Sequence, residues 1–262
     1  MRIYTLTHIK GGVLKTTTSI NLAYAFARLG YKTLLIDADA QSNATFTVSG
    51  RMDEEKSGTL YEVFMGGDHP KTIPQIMKPT TQKNLYICEG SMWLYDAEAD
   101  LASRSGREYI LKRALRGLED FDYIFIDTSP SLGIMTLNAW VASDALILPI
   151  ALTIYGMVGI RILEHSLAKH KRNMDLEVPI FGAVGTLDDH TNQSEKMLER
   201  IKGHFQEKVF TTVIPRNIKV EESNNQSISL FEYAPTSTGA RAYAALVKEI
   251  VDREQEHAET KH

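Results

Sequence analysis

The sequence predicts an α/β fold, a mostly parallel central sheet with helices on both faces. Short runs that are apolar at every position recur along the chain, helical segments separate them, and a glycine-rich turn follows the first run and opens the first helix. A strand without polar alternation has both faces covered, as strands between two helical layers do. That architecture puts ligand loops at the carboxyl ends of the strands.

The first strand is read over Ile3 to Ile9, and the amphipathic run Ile20 to Leu29 is the helix after the turn. Thr33 to Asp37 is the second apolar run. The stretch from Ser49 to Ser103 is less regular, with a short helical signal at Thr59 to Phe64, the turn-rich Gly66-Gly67-Asp68-His69-Pro70, and a strand at Leu85 to Cys88. Arg104, Arg107, Lys112, Arg113 and Arg116, against Glu108, read as one helical stretch. Further strands follow at Tyr123 to Asp127, Ala145 to Ile150, Ile180 to Gly185 and Val209 to Ile214. No long Pro-, Gly- or Ser-rich linker divides the chain. Residues 1–252 therefore read as one domain, with 49–103 an insertion on it and 253–262 a polar tail. The polar composition after Val251 predicts fraying from Lys248 to His262.

With 262 residues and 43% hydrophobic content the chain can fill a sizeable core. The single Cys88 excludes an intrachain disulfide and any site that needs two cysteines from one subunit. There is no apolar run of about eighteen residues and no signal-peptide pattern, so a cytoplasmic protein is expected. A formal charge of -4 gives no general attraction to nucleic acid. Locally, Lys196, Arg200, Lys202, Lys208, Arg216 and Lys219 outnumber Glu195, Glu199 and Glu207. This cluster is either a set of solvated helix faces or a phosphate-contacting patch.

Lys10-Gly11-Gly12-Val13-Leu14-Lys15-Thr16-Thr17 stands between a strand and a helix, the order a phosphate-cradling loop requires. Backbone N–H groups from Gly11 through Thr16, with the positive end of the helix, would hold phosphates. Lys15 would reach the terminal phosphates and the Thr16 hydroxyl would ligate magnesium. Leu14 occupies the position of the usual glycine. Its branched side chain either projects away with every donor in place or distorts the loop. Two apolar strands end in acids, Ile36-Asp37-Ala38-Asp39 and Ile126-Asp127. Carboxylates there need a hydrogen-bond network, a cation or water. Asp127 suits an outer-sphere magnesium role and Asp39 the orientation of an attacking water; helix capping and turn anchoring are the other uses open to them. Lys10 is either a surface lysine or a residue that crosses to a second subunit and neutralises charge on its nucleotide, which would make dimerisation ATP-dependent.

These motifs together resemble the small, Soj-like members of the ParA family, within the MinD/ParA group of deviant Walker A ATPases. The matching stretches are the loop itself, Asn21-Leu22-Ala23, Ile36 through Thr45, Ile126-Asp127-Thr128-Ser129-Pro130-Ser131-Leu132-Gly133, Val213-Ile214-Pro215-Arg216-Asn217, and Tyr233-Ala234-Pro235 with Gly239 through Tyr243. The resemblance covers roughly residues 1–252 and implies a P-loop NTPase fold with ATP and Mg2+ as cofactors. It makes Lys10 the signature lysine of an ATP-sandwich homodimer, Lys15 the phosphate lysine, Thr16 the magnesium ligand, Asp39 the residue needed for hydrolysis and Asp127 the Walker B aspartate, with Thr16, Asp39 and Asp127 forming the metal site. Gly11, Gly12, Val13, Leu14 and Thr17 complete the nucleotide loop, and Pro215, Arg216 and Asn217 stand near the adenine base. The implied function is partition of plasmids or chromosomes. The ATP dimer binds double-stranded DNA without sequence preference, and a ParB-like centromere-binding protein stimulates hydrolysis and release, so a nucleoid-associated protein is expected. Lys196, Arg200, Arg216 and Lys219 are the candidate DNA contacts.

The chain departs from the family pattern at Leu14, at Ala40 and Ser129 in place of prolines, and at His190 in place of a basic residue after the fifth strand. A neutral imidazole offers a phosphate less than a guanidinium does. Starting at the catalytic domain, the chain is expected to lack the helix-turn-helix of larger ParA proteins and not to repress its own operon directly. The polar tail argues against a MinD-like membrane role, and cysteine number against a nitrogenase iron protein. Two other uses stay open, a non-hydrolysing nucleotide- or DNA-binding scaffold and an ATPase that positions a protein cargo over the nucleoid.

Overall fold

The computed structural model describes residues 1–51, 55–67 and 69–259. Asp68 of the glycine-rich turn, residues 52–54 of the 49–103 stretch and residues 260–262 of the tail lie outside the described residues. The chain runs through β1 (Arg2–Leu6), α1 (Lys15–Arg28), β2 (Thr33–Ala38), α2 (Asn43–Ser49), α3 (Leu60–Met65), α4 (Ile73–Ile76), β3 (Lys78–Pro79), β4 (Leu85–Cys88) and α5 (Leu94–Asp100). It continues with α6 (Ile110–Ala114), β5 (Tyr123–Thr128), α7 (Ile134–Ala142), β6 (Ala145–Ala151), α8 (Ile154–Met174), β7 (Ile180–Asp188), α9 (Asn192–Phe205), β8 (Val209–Pro215), α10 (Ile218–Asn225), α11 (Leu230–Tyr233) and α12 (Thr238–Glu259).

The strands form one eight-stranded sheet in the order β3-β4-β2-β5-β1-β6-β7-β8, parallel except where the short β3 runs antiparallel to β4. Each strand of the centre serves two cores. Tyr4, Leu35, Phe125 and Ile147 face a cluster with Leu22 and Phe26 of α1 and Tyr243 of α12, whereas Leu34, Ile36, Ile124 and Ile126 face another with Leu60, Leu94, Leu111 and Met135. Leu146, Leu148 and Ile150 pack a third cluster with Ile160 of α8 and Ile201 of α9. Burial on both faces is why the sequence shows unbroken apolar runs.

Several boundaries differ from the expectation, each for a local reason. β1 stops at Leu6, before Ile9, because the chain leaves the ladder for the loop; Ile9 is apolar because it packs on the third cluster. α1 begins at Lys15, ahead of Ile20, since its first turns bury the polar Thr17, Thr18 and Ser19, which hide the helical period. The arginines from 104 to 116 do not share a helix. Gly106 adopts φ +65 and breaks the segment into short turns before α6, and Arg104, Arg107 and Arg113 donate to the carbonyls of Phe64 and Gly67, of Leu101, and of Gly106.

Nor is the expected fraying from Lys248 seen among the described residues, which end at Glu259. α12 continues to Glu259, and Glu254 accepts hydrogen bonds from the hydroxyls of Tyr4 and Tyr123, each at 2.5 Å. Among the described residues no helix is long and apolar enough to cross a membrane.

Candidate functional site

The carboxyl ends of β1, β2 and β5 meet where the sheet changes direction, β1 lying between β5 and β6 while the chain goes first to β2. In open α/β sheets this switch point is where ligands bind. The register sets Leu6 against Asp127 and Asp37 against Asp127, so the loop after β1 and both acidic strand ends converge.

The loop from Lys10 to Leu14 carries two left-handed residues, Gly12 at φ +73 and Leu14 at φ +64. Leu14 caps α1 at its start, and no side chain caps the helix there. Leu14 packs against the first core cluster and also lines the cavity beside the loop. The left-handed conformation costs a non-glycine residue about 1 kcal/mol or more, offset in part by that packing. The loop, together with Asn43, Phe46 and Thr47 of α2 and Asn224 and Asn225 of α10, lines a cavity of about 380 Å³.

Lys15 is 7% exposed and Asp127 fully buried. Burial pushes the Lys15 ammonium below its usual range, and the charges of Asp127 and Asp39 oppose that shift. Burial likewise pushes Asp127 up to about 6, against the pull of Lys15 and of the Thr16 and Ser19 hydroxyls. Ser19 Oγ donates to Asp127 Oδ1 at 2.8 Å, while Asp127 Oδ2 is buried with no hydrogen-bond partner. Asp39, 7% exposed, accepts from the backbone N–H of Gln41 at 2.9 Å. Asp37 is fully buried beneath it and accepts from both the N–H and the hydroxyl of Thr45 at 2.7 Å. Cys88, buried beside Asp37 and Glu89, has its thiol raised far above the usual range, first by burial and then by those two charges.

An orphaned carboxylate oxygen next to a threonine hydroxyl is a hard-oxygen donor set that suits Mg2+. Among the described residues no three His, Cys, Asp or Glu side chains converge as a metal cage. The fit is therefore to an ion held by few protein oxygens and completed by substrate phosphates.

The remaining candidates lie outside this cluster. Lys10 places its ammonium 4.7 Å from the centre of the exposed Tyr155 ring on α8. Pro215, Arg216 and Asn217 close β8 and start α10, and Asn217 caps that helix by accepting from the Lys219 N–H at 2.8 Å. They are not among the residues lining the loop cavity, where Asn224 of α10 donates to the Thr17 hydroxyl at 3.2 Å instead. Lys196 and Arg200 stand exposed on α9, and Arg200 lines a groove against α8 with Arg161, Ile154 and Val158. Arg216 and Lys219 belong to the neighbouring β8–α10 turn, joined to the end of β7 by a hydrogen bond from the Arg216 N–H to the Asp188 carbonyl at 2.8 Å. Lys219 pairs with Glu222 at 2.7 Å, and His190 with Asp188 at 3.1 Å. Arg161 and the asparagines 224 and 225 carry no motif; only the asparagine pair and the basic residue in an apolar helix marked them in the sequence.

A glycine-rich loop opening a helix, with a lysine held between acids at two strand ends, defines an α/β nucleotide-binding protein of the P-loop class. Comparison with known proteins agrees. A family model described as an AAA domain matches residues 1–180. The sporulation initiation inhibitor protein Soj of Bacillus subtilis is 36% identical over 251 residues, covering 95% of this chain and 98% of that protein. The chromosome partitioning protein ParA of Myxococcus xanthus is 34% identical over 255 residues, covering 97% and 89%. A crystal structure of cobyrinic acid a,c-diamide synthase from Mycobacterium smegmatis with bound ATP analogue and magnesium superimposes with a TM-score of 0.81 at 28% identity, covering 97% of this chain and 96% of that one. The chain belongs to the Soj/ParA family of P-loop ATPases.

Proposed function

We propose that this protein is a ParA-type ATPase for plasmid or chromosome partition, an ATP-dependent homodimer that binds double-stranded DNA non-specifically and releases it when a ParB-like centromere-binding protein stimulates hydrolysis. The observation that carries this reading is the Lys15 ammonium, buried between Asp127 and Asp39 at the mouth of a loop that opens α1. Residues 1–252 act as one ATPase domain, with 49–103 inserted in it.

In this reading the backbone of Gly11, Gly12, Val13, Leu14, Lys15, Thr16 and Thr17 cradles the phosphates of ATP. Thr16, Asp127 and Asp39 would hold Mg2+. The ion neutralises charge on the phosphates when bound. Lys15 stabilises the terminal phosphates, and Asp39, held at the end of β2 by its own turn, orients the attacking water. Lys10 lies on the outer side of the loop, where it can reach a neighbour's nucleotide, so the closed form is a pair of subunits. Pro215, Arg216 and Asn217 flank the base. Lys196, Arg200, Arg216 and Lys219 contact DNA phosphates, and pairing doubles the patch. The site would work in the cytoplasm, on the nucleoid.

Light scattering with ATP, with ADP and without nucleotide tests the switch. A dimer seen with ATP alone is the expected result; an unchanged mass in all three conditions overturns it. The strained Leu14 favours a second reading, a non-hydrolysing scaffold, which DNA-stimulated phosphate release would exclude and nucleotide-independent DNA binding would support. The same site would also serve an ATPase that positions a protein cargo.

A further inference from the structure

His8 is 1% exposed and lies between the start of the loop and the first turns of α8. Its ring makes two contacts. Nδ1 accepts the backbone N–H of Lys10 at 2.9 Å, and Nε2 meets the carbonyl of Gly156 at 3.2 Å. The ring also sits close against the helix at Gly159, since a Cβ placed there would stand 2.5 Å from His8 Cε1. Burial pushes the imidazole down to about 4, with Lys15 and Lys10 adding to the shift, so the ring is neutral at physiological pH. A neutral ring has one donor and one acceptor. With Nδ1 accepting from Lys10, the proton sits on Nε2 and is donated to Gly156.

The two partners are the groups that fix the Lys10–Tyr155 contact. Gly156 follows Tyr155 directly, and the Tyr155 ring is the one over which Lys10 Nζ stands. An apolar side chain of similar volume at position 8 would leave the part-buried Lys10 N–H without its acceptor and remove the ring's bond to the Gly156 carbonyl. We propose that His8 is a positioning residue for Lys10: its imidazole ties the Lys10 backbone to the first turn of α8 and so sets where the Lys10 ammonium stands for a neighbouring subunit. This deepens the proposed function and rests on its assignment of Lys10 to the intersubunit contact.

Substitutions separate the two bonds. His8→Asn keeps an acceptor at the Nδ1 position and loses the reach to Gly156, whereas His8→Gln reaches Gly156 and loses the acceptor for Lys10; His8→Leu removes both. With the full chain, binding of a fluorescent ATP analogue to the monomer, ATP-dependent dimerisation by light scattering, and thermal melting would be measured for each, beside Lys10→Ala. We expect all of the His8 variants to bind nucleotide within about twofold of the parent. The dimerisation midpoint should move about tenfold to higher protein concentration in all three variants, because each breaks at least one of the two bonds that make the tie. If Lys10→Ala abolishes the dimer while His8→Gln leaves it intact, the role of His8 is refuted and that of Lys10 stands. If Lys10→Ala dimerises as the parent does, the intersubunit assignment falls, and the inference with it. Loss of nucleotide binding and dimerisation together, in step with a lowered melting temperature, would mark His8 as structural only. In the unmodified protein, 15N resonances of the ring should report a bare Nδ1 and a protonated Nε2 at neutral pH. The opposite tautomer would overturn the proposal without any variant.

Discussion

At the scale of single residues the site turns on how much an unfavourable local choice costs and what compensates it. Leu14 holds a backbone conformation suited to glycine, and its side chain packs against the core. We expect Leu14→Gly to hydrolyse ATP faster than the parent, with DNA and partner present. Leu14→Ala keeps the left-handed backbone and loses packing, so it should lower stability by about 1 to 2 kcal/mol with turnover near the parent's. Phosphate release and thermal melting check the pair, and equal turnover in the parent and Leu14→Gly would remove Leu14 as a brake.

Asp37 is the second such residue. Burial, then the charge of Asp127, raise its carboxyl from 3.8 to about 7, against the Thr45 hydrogen bonds. Between those values the folded state binds a proton that the unfolded chain does not. Its contribution to stability is thus full below the unfolded value and is lost as pH rises through the folded one. The buried His8, lowered from 6.5 to about 4, works in the opposite sense, so the effect of Asp37 is read as a difference. Urea unfolding of the nucleotide-free protein should show the stability of the parent relative to Asp37→Asn falling by on the order of 2 kcal/mol between about pH 5 and pH 8. A difference that does not change with pH would contradict the assignment. Asp39 and Asp127 stand out in the sequence as candidates because a charge ends an apolar run, and Lys15 because it follows a glycine-rich turn. The packing of the Leu14 side chain does not, nor do His8 and Asn224, since their partners lie on elements that no local pattern names.

At the scale of elements, strands were legible to within a few residues because full burial leaves an unbroken apolar run. Helix limits were less so. The start of α1 is polar for the sake of the site, and the end of α12 is polar yet anchored. Glu254 joins that helix to β1 and β5 through two tyrosine hydroxyls, beside the apolar packing of its earlier turns. We expect Glu254→Ala to cost about 2 to 3 kcal/mol, a fall of roughly 4 to 10 °C in melting temperature, with ATP binding unchanged. A melting point equal to the parent's would return the last turns of α12 to the status of a loose tail. On α9, Arg200→Glu should weaken DNA binding by about tenfold and flatten its salt dependence, whatever the DNA sequence. A sequence-dependent loss would mean base contacts instead of phosphate contacts.

For the whole molecule, the sheet order brings the three strand ends of the site together and leaves the basic residues of α9 and α10 on the neighbouring side of the same edge. On the proposed assignments the nucleotide site and the DNA contacts share Arg216 and otherwise draw on different residues. In the sequence the loop stands out as a motif, whereas the basic cluster reads equally as a set of solvated helix faces. Variants of Lys196 or Arg200 should leave monomeric ATP binding at the parent's value, as titration with a fluorescent analogue would report.

The native thiol lies sealed beneath the sheet's acidic corner and is hard to ionise. Maleimide dyes will pass over it, so one cysteine introduced at the exposed Arg172 gives a singly tagged protein without first removing Cys88. Donor- and acceptor-labelled batches can then be mixed, and energy transfer between molecules will report their meeting and parting in real time.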